Sequence, residues 1–375
     1  MIFDIRLYII IGIYMIICIS LMIFNFMVVR KTVRQSAAAT GISKKWKAII
    51  YKQAVKASGG EISMLKHARF LLKKLANTEA LIAFSHALHY LKGEFPEAYN
   101  DYIYNKYNVF ENLANIYNEK TSVERACYAD FICDFPEAAG DSHERTVGAL
   151  ISYIDKSNIY CRTNVLRALC SIGSVSGVMN ALQVINDKQL FIHTQLLTDE
   201  LLRFKGNKED LGKYLWSEAW RWNDNIKVSV IQFIAQSSNS YNEEFLSVLQ
   251  DSSVSAEVRI AVIRYYAENS YAPAQAALIK LTDSSANITL AAEAVLALAS
   301  HPTPDAIAAL REALYSQEWS VRYNASSVLV GMGNEIDLTK VLRDDSEYAR
   351  KIVSYMLERE EALQPKETEG EKVSA

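Results

Sequence analysis

Residues 251–281 read DSSVSAEVRIAVIRYYAENSYAPAQAALIKL, and their pattern decides the class of fold. The stretch divides into two amphipathic helices, AEVRIAVIRYYAEN and then APAQAALIKLTD, with a polar turn ahead of the first. Pro273 falls near the start of the second helix, where its missing N–H costs nothing. Neither helix can hide its apolar stripe alone, so such pairs must stack on neighbouring pairs.

The same signature recurs along the chain: an apolar residue, a basic residue, and an apolar residue three positions on. It stands as Cys161-Arg162 with Val165, Val258-Arg259 with Val262, Val321-Arg322 with Ala325, and Ala349-Arg350 with Val353. With degenerate copies admitted, the markers are Arg125, Arg162, His193, Lys227, Arg259, Thr289, Arg322 and Arg350, spaced by 37, 31, 34, 32, 30, 33 and 28 residues. Periods of about 20 to 50 residues are the mark of a repeat architecture. Several markers follow an Asp (Asp187, Asp224, Asp251, Asp283, Asp344), which can accept from free N–H groups at a helix start and attract a neighbouring marker guanidinium.

These residues resemble the HEAT-repeat family, whose units place a turn Asp and a Val-Arg pair at the start of the second helix. The resemblance covers roughly residues 120–360. It is clearest around Arg162, Arg259, Arg322 and Arg350, whereas the copies at His193 and Thr289 depart from it. It implies an alpha-solenoid in which the marker residues Arg125, Arg162, Lys227, Arg259, Arg322 and Arg350 are mainly structural. It also implies a protein-binding surface lined by the second helices.

Composition agrees with an all-α chain, because 14 Gly and 6 Pro in 375 residues are too few for a sandwich or barrel of many short strands. The net charge of −3 is unevenly spread. Residues 1–60 hold nine basic residues against Asp4 alone, which leaves −11 on residues 61–375. So acidic a body argues against nucleic acid as the main ligand. The five cysteines (Cys18, Cys127, Cys133, Cys161, Cys170) include no C-x-x-C pair and read as small buried hydrophobes in a reducing compartment.

Leu7 to Val29 (LYIIIGIYMIICISLMIFNFMVV) is 23 residues without a charge. As a helix it would span about 34 Å, enough to cross a hydrocarbon core of about 30 Å. A cleavable signal peptide has a shorter apolar region, and the small residues from Ser36 to Thr40 lie beyond Arg30, Lys31 and Arg34. Eight basic residues and no acidic one between Arg30 and Lys56 place the C-terminal part in the cytoplasm, as a single-pass protein of the bacterial inner (cytoplasmic) membrane. Within this segment Arg30, Lys31, Arg34, Lys44, Lys45, Trp46 and Lys47 are membrane-interface candidates. The alternative is a first solenoid helix with a solvated basic face.

The expected organisation is a transmembrane anchor over 1–30, a basic juxtamembrane segment over 31–60 and divergent helical units over 61–120. A HEAT-like solenoid over 121–360 and a polar tail over 361–375 complete it. An independent helical domain is the alternative for 61–120. No phosphate-loop, dinucleotide, zinc-protease or nucleophile-elbow motif occurs, so no catalytic, cofactor or metal residue is assigned. His86 and His89 have a spacing that could place two imidazoles on one metal, although packing or surface histidines are the favoured reading. The run YLWSEAWRW offers Trp216, Trp220, Arg221 and Trp222 as a partner-binding surface, with packing between units as the alternative. The Tyr- and Asn-rich stretch from Phe95 to Tyr117 is a second candidate interface.

The function expected is that of a membrane-tethered scaffold for protein partners, with the bilayer engaged by residues 7–29. An accessory subunit of a membrane glycosyltransferase or of a signalling complex is one version. The resemblance also admits a HEAT-like enzyme, such as an alkylpurine DNA glycosylase or a bilin lyase.

Overall fold

A computed structural model describes residues 15, 18, 20–22, 43–54, 61–140, 143–155, 157–238, 240–283, 287–333, 338–343 and 346–363. Among the described residues every regular element is helical. The chain divides into two compact units, residues 1–189 with 203–206 and residues 190–202 with 207–375.

In the first unit, residues 43–54 (α1) are helical. They precede α2 (Glu61–Leu75), α3 (Thr78–Glu94), α4 (Pro96–Tyr104), α5 (Tyr107–Asn118) and α6 (Ser122–Asp134). A 3-10 turn, Pro136–Ala139, leads to α7 (Glu144–Ile154), α8 (Ile159–Ile172) and α9 (Val175–Asp187). Two layers result: α3, α6 and α8 lie side by side in one, and α2, α5, α7 and α9 in the other. The expected boundary at residue 120 is therefore not a division between compact units. Tyrosine hydroxyls cross it: Tyr128 of α6 donates to Phe110 O of α5 in the other layer (2.7 Å), and Tyr153 of α7 to Ala114 O of α5 in its own layer, while Tyr117 donates to Leu75 O (2.9 Å) ahead of the boundary. Phe84, Phe110 and Phe131 meet on both sides of the boundary, with Phe110 and Phe131 centroids 5.3 Å apart.

The second unit holds α10 (Thr194–Leu202), α11 (Lys208–Ala219), α12 (Asp224–Ser237), α13 (Asn242–Gln250), α14 (Ala256–Glu268) and α15 (Gln275–Thr282). It continues through α16 (Ile288–Ala297), α17 (Pro304–Ala313), α18 (Trp319–Gly331), α19 (Thr339–Leu342) and α20 (Glu347–Leu363). Successive contacts run α10, α12, α14, α16, α18, α20 in one layer, and α13, α15, α17 in the other. This is a helical solenoid, in which each helix pair completes the burial of the one before.

The repeat has a fixed register. Arg125, Arg162, Lys227, Arg259, Arg322 and Arg350 each occupy the fourth helical position of their helix. His193 and Thr289 do not: His193 precedes α10 and Thr289 is the second residue of α16, so the fourth positions there are Leu197 and Ala291. With that correction the central spacings from Leu197 to Arg322 tighten to 30, 32, 32 and 31.

Of the turn aspartates, Asp251 has its carboxyl held below its ordinary pKa first by Ser253 and also by the charge of the marker Arg259. Arg162, Arg259 and Arg322 clasp backbone carbonyls left open where the preceding helix ends, whereas Arg125 reaches Asp155 O at the end of the following helix. Arg162 Nη1 donates to Ser157 O (2.6 Å), Arg259 Nε to Leu249 O (3.1 Å), and Arg322 Nη1 to Ser316 O (2.6 Å) and Gln317 O (2.7 Å). Capping falls instead to short side chains with better reach. Asn158, Asn223, Ser255 and Asn287 accept from the third helical N–H of α8, α12, α14 and α16. Thr121 and Glu124 form a full capping box on α6. Of the aspartates, Asp224 pairs with Lys227 in its own helix (2.8 Å), Asp187 accepts from Gln183 (2.6 Å), and Asp251 organises the Ser253 turn. Asp344 lies outside the described residues.

Neighbouring marker helices are stitched by polar side chains one position further in register. Asn164 Nδ2 donates to Ala126 O (3.1 Å) and Asn324 Nδ2 to Ala292 O (2.9 Å), both from the sixth helical position to the fifth of the helix before. Gly173, at φ +79°, ends α8 in the left-handed conformation, and an added Cβ would meet Gly206 N at 3.2 Å.

The segment expected at the membrane interface is only partly described. Arg30, Lys31 and Arg34 lie outside the described residues, and Lys44 and Lys45 are exposed. Trp46 does not face a lipid boundary; it is buried, 5.9 Å from Phe70 and 5.2 Å from Phe84 between centroids. Ile50 is buried too, and Lys47 Nζ stands 4.1 Å from the Tyr90 ring centre. An indole flanked by two phenyl rings loses more apolar exposure there than it could in a headgroup layer, so this helix packs into the first unit. Most of the expected span, residues 7–29, lies outside the described residues. Among the described residues no helix is long and apolar enough to cross a membrane. α20 continues two residues past the expected start of the tail at Glu361.

Candidate functional site

The run that carries three tryptophans is split by the helix end. Asn207 caps α11 by accepting from Glu209 N (3.0 Å) and Asp210 N (3.4 Å). Trp216 and Trp220 then fall one turn apart on one face, with Trp220 at the C-cap. The turn that follows, closed by Trp222 N donating to Ala219 O (3.0 Å), carries Trp222 to the other side, where its indole is buried. Arg221 points into solvent and pairs with Glu218 (2.8 Å). The four candidates thus separate: Trp216 and Trp220 form a surface, Trp222 is core, and Arg221 stands in solvent outside the cleft lining.

The two indoles meet edge to face, 5.4 Å apart at 83°. Trp216 is fixed from beneath by Tyr241 (5.8 Å) and Phe245 (5.4 Å), both buried. Trp220 keeps 44% of its surface exposed. They wall a cleft of about 370 Å³ completed by Glu244, Ser247 and Val248 of α13 and by Asp251 and Val254 of the next turn. Ser253 donates to Asp251 Oδ1 through its N–H (2.8 Å) and its hydroxyl (2.7 Å), which holds this carboxyl below its ordinary pKa and keeps it ionised. Burial, and after it the Glu244 charge, raises the Tyr241 and Tyr265 hydroxyls. A rigid aromatic wall beside carboxylates is suited to gripping a side chain of a partner.

In the first unit a cleft of about 410 Å³ runs between α3 and α6, lined by Leu81, Ile82, His86, His89, Cys127, Asp130 and Asp134 among others. The structure brings to the histidines carboxylates that the local sequence could not reveal, since Asp134 stands 45 residues from its partner His89 (Nε2 to Oδ2, 3.0 Å). Burial and the nearby Asp134 charge raise the Asp130 carboxyl, and burial raises the Cys127 thiol. Among the described residues no three His, Cys, Asp or Glu side chains are arranged to hold a metal ion.

The stretch from Phe95 to Tyr117 divides between core and surface: three of its tyrosines turn inward, while Asn100, Asn105, Asn108, Asn112 and Asn115 are exposed. Tyr99, Tyr102 and Tyr117 are buried, and their hydroxyls engage Glu137 (3.0 Å), His67 (2.9 Å) and Leu75 O (2.9 Å). Burial lifts the Tyr117 phenol to about 12. Tyr104 remains exposed.

Residues 275–358 match the family model for HEAT repeats. The match begins at α15 and ends within α20, so the likeness to HEAT repeats lies in this part of the second unit. Arg322 and Arg350 lie inside it, and Arg125, Arg162, Lys227 and Arg259 hold the same fourth position outside it. No curated protein matches the chain.

Proposed function

We propose that this chain is a membrane-tethered scaffold that binds protein partners through its helical repeats. The observation that carries the reading is the Trp216 and Trp220 wall: two indoles held rigidly by the core beneath, standing at the surface of a layered repeat. Buried faces are satisfied within each unit by stacking, so an exposed Trp220 braced by the half-buried Trp216 beside a cleft is better explained by a partner than by folding. Residues 7–29 would anchor the chain in the inner membrane, with the basic residues after them holding the repeats on the cytoplasmic side. Tethering would raise the local concentration of a bound partner at the bilayer.

The test is affinity purification from detergent-solubilised membranes with the full chain, a chain lacking residues 1–42 so that the buried Trp46 and Ile50 are kept, and Trp220→Ala in the full chain. The reading expects one reproducible protein partner with the first two baits and its loss with the third. A partner retained by Trp220→Ala but lost on deleting residues 1–42 would place recognition on the N-terminal segment and refute it. Resistance of the full chain to extraction from membranes at high pH checks the anchor, and quantitative release would contradict it.

A further inference from the structure

The tryptophan cleft has an electrostatic character that narrows what it can take. Among the described residues lining it none is basic, while Glu244 and Asp251 stand on its floor and rim. Glu244 is exposed and has no hydrogen bond or ion pair among the described residues, although its charge reaches the Tyr241, Tyr265 and Tyr266 hydroxyls. The Ser253 turn occupies one oxygen of Asp251, Oδ1; the second carries no hydrogen bond among the described residues, and the charge of Arg259 acts on this carboxylate from outside the lining, which leaves Glu244 as the principal partner for an incoming cation. The faces of indole rings are themselves electron-rich, and Trp220 already has one cation in range, Lys227 Nζ at 6.0 Å from its ring centre. Val248 and Val254 supply apolar contact between these groups. An anionic or neutral polar segment would meet repulsion or an unpaired carboxylate here; a cationic side chain with an apolar neighbour would satisfy every group of the lining.

We propose that the cleft walled by Trp216 and Trp220 receives an arginine- or lysine-bearing segment of a protein partner, its cation lying on the exposed indole and paired with Glu244 and Asp251. This rests on the scaffold reading and specifies the chemistry of its partner. The guanidinium is the better occupant, because its flat face can stack on Trp220 while its edge donates to both carboxylates. The apolar stem would lie along Val248 and Val254.

The test uses the full chain in detergent solution and a fluorescein-labelled octapeptide alternating leucine and arginine. Its counterpart carries citrulline at every arginine position, which keeps the planar shape, exchanges one NH2 donor group for a carbonyl acceptor and removes the charge. Fluorescence polarisation should show the arginine peptide binding at least about 5-fold more tightly than the citrulline peptide. Its affinity should fall by a similar factor in Trp220→Ala, by about 3-fold in Glu244→Gln, and as sodium chloride is raised from low to molar concentration. Both side chains are exposed, and unchanged circular dichroism would show that the variants fold. Tyr160→Ala, which removes an exposed aromatic from α8 in the other unit, should leave binding unchanged. Equal binding of the two peptides, or arginine-peptide binding indifferent to both Trp220→Ala and Glu244→Gln, would overturn the proposal. If a native partner were still lost with Trp220→Ala, that result would sink the cationic occupant alone and leave the scaffold standing.

Discussion

Arg322→Met removes the clasp between α17 and α18 while keeping most of the stem. Arg322 is 9% exposed and its Nη1 serves two turn carbonyls, Ser316 O at 2.6 Å and Gln317 O at 2.7 Å. A hydrogen bond from a charged donor contributes about 1.5–3 kcal/mol, but turn carbonyls regain some water once the guanidinium is gone. The two together should be worth about 2 kcal/mol in this site. The guanidinium also stacks on Tyr348, 5.0 Å from the ring centre, which adds about 0.5–1 kcal/mol. The expected loss is therefore about 3 kcal/mol, with Arg322→Lys losing about half of it, because a compact ammonium cannot clasp both carbonyls and stack at once. Urea unfolding of the full chain followed by far-ultraviolet circular dichroism measures this as a lowered midpoint for the transition of the second unit. Lys351→Met is the control: Lys351 pairs with Glu347, both well exposed, and its removal should cost no more than about 0.5 kcal/mol. If Arg322→Met cost no more than this control, the marker would not be structural, and ligand binding would become its better explanation.

Burial, and then the nearby Lys106 charge, lowers the His67 pKa from 6.5 to about 4. The unfolded chain thus binds more protons between those values, so the first unit should lose stability as pH falls from about 6.5 to about 4. His67→Gln, measured by thermal melts across that range, should flatten the dependence, and an unchanged profile would contradict it. Trp46→Ala should destabilise the first unit by about 3 kcal/mol, because it empties a site between Phe70 and Phe84. A variant of native stability with weakened binding to anionic vesicles would instead favour the lipid boundary. Gly173→Ala should cost about 1–2 kcal/mol by chemical denaturation, since φ +79° and the Gly206 backbone at 3.2 Å leave the methyl neither conformation nor room. A neutral effect would mean that the Gly206 loop yields freely.

The helical class and the repeat could be read from local spacing, because a basic residue at the fourth helical position serves a carbonyl only a few residues back. Arg162 and Ser157, or Arg322 and Ser316, are near neighbours in sequence, so the pattern survives in one dimension. Where that position is apolar, as at Leu197 and Ala291, there is no such trace, and the sequence reading drifted to His193 and Thr289. Long-range partners were invisible for the same reason: His89 with Asp134, or Tyr117 with Leu75 O, depend on which helices lie adjacent. Trp216, Trp220 and Trp222 were legible as a cluster but not as a wall plus a core residue. The difference is set by where α11 ends, a turn at Ala219 that no single residue type announces. Trp46 misled because a tryptophan among lysines has the same composition at a lipid boundary and in the first helix of a stack.

Hydrogen exchange across the full chain tests the repeat most directly. If the marker helices form a continuous layer within each unit, their central amides should be the most protected, in maxima that follow the fourth positions Arg125, Arg162, Leu197, Lys227, Arg259, Ala291 and Arg322 at intervals near 32 residues. Maxima out of phase with these residues, or one block of uniform protection with no recurring interval, would contradict the paired-helix account.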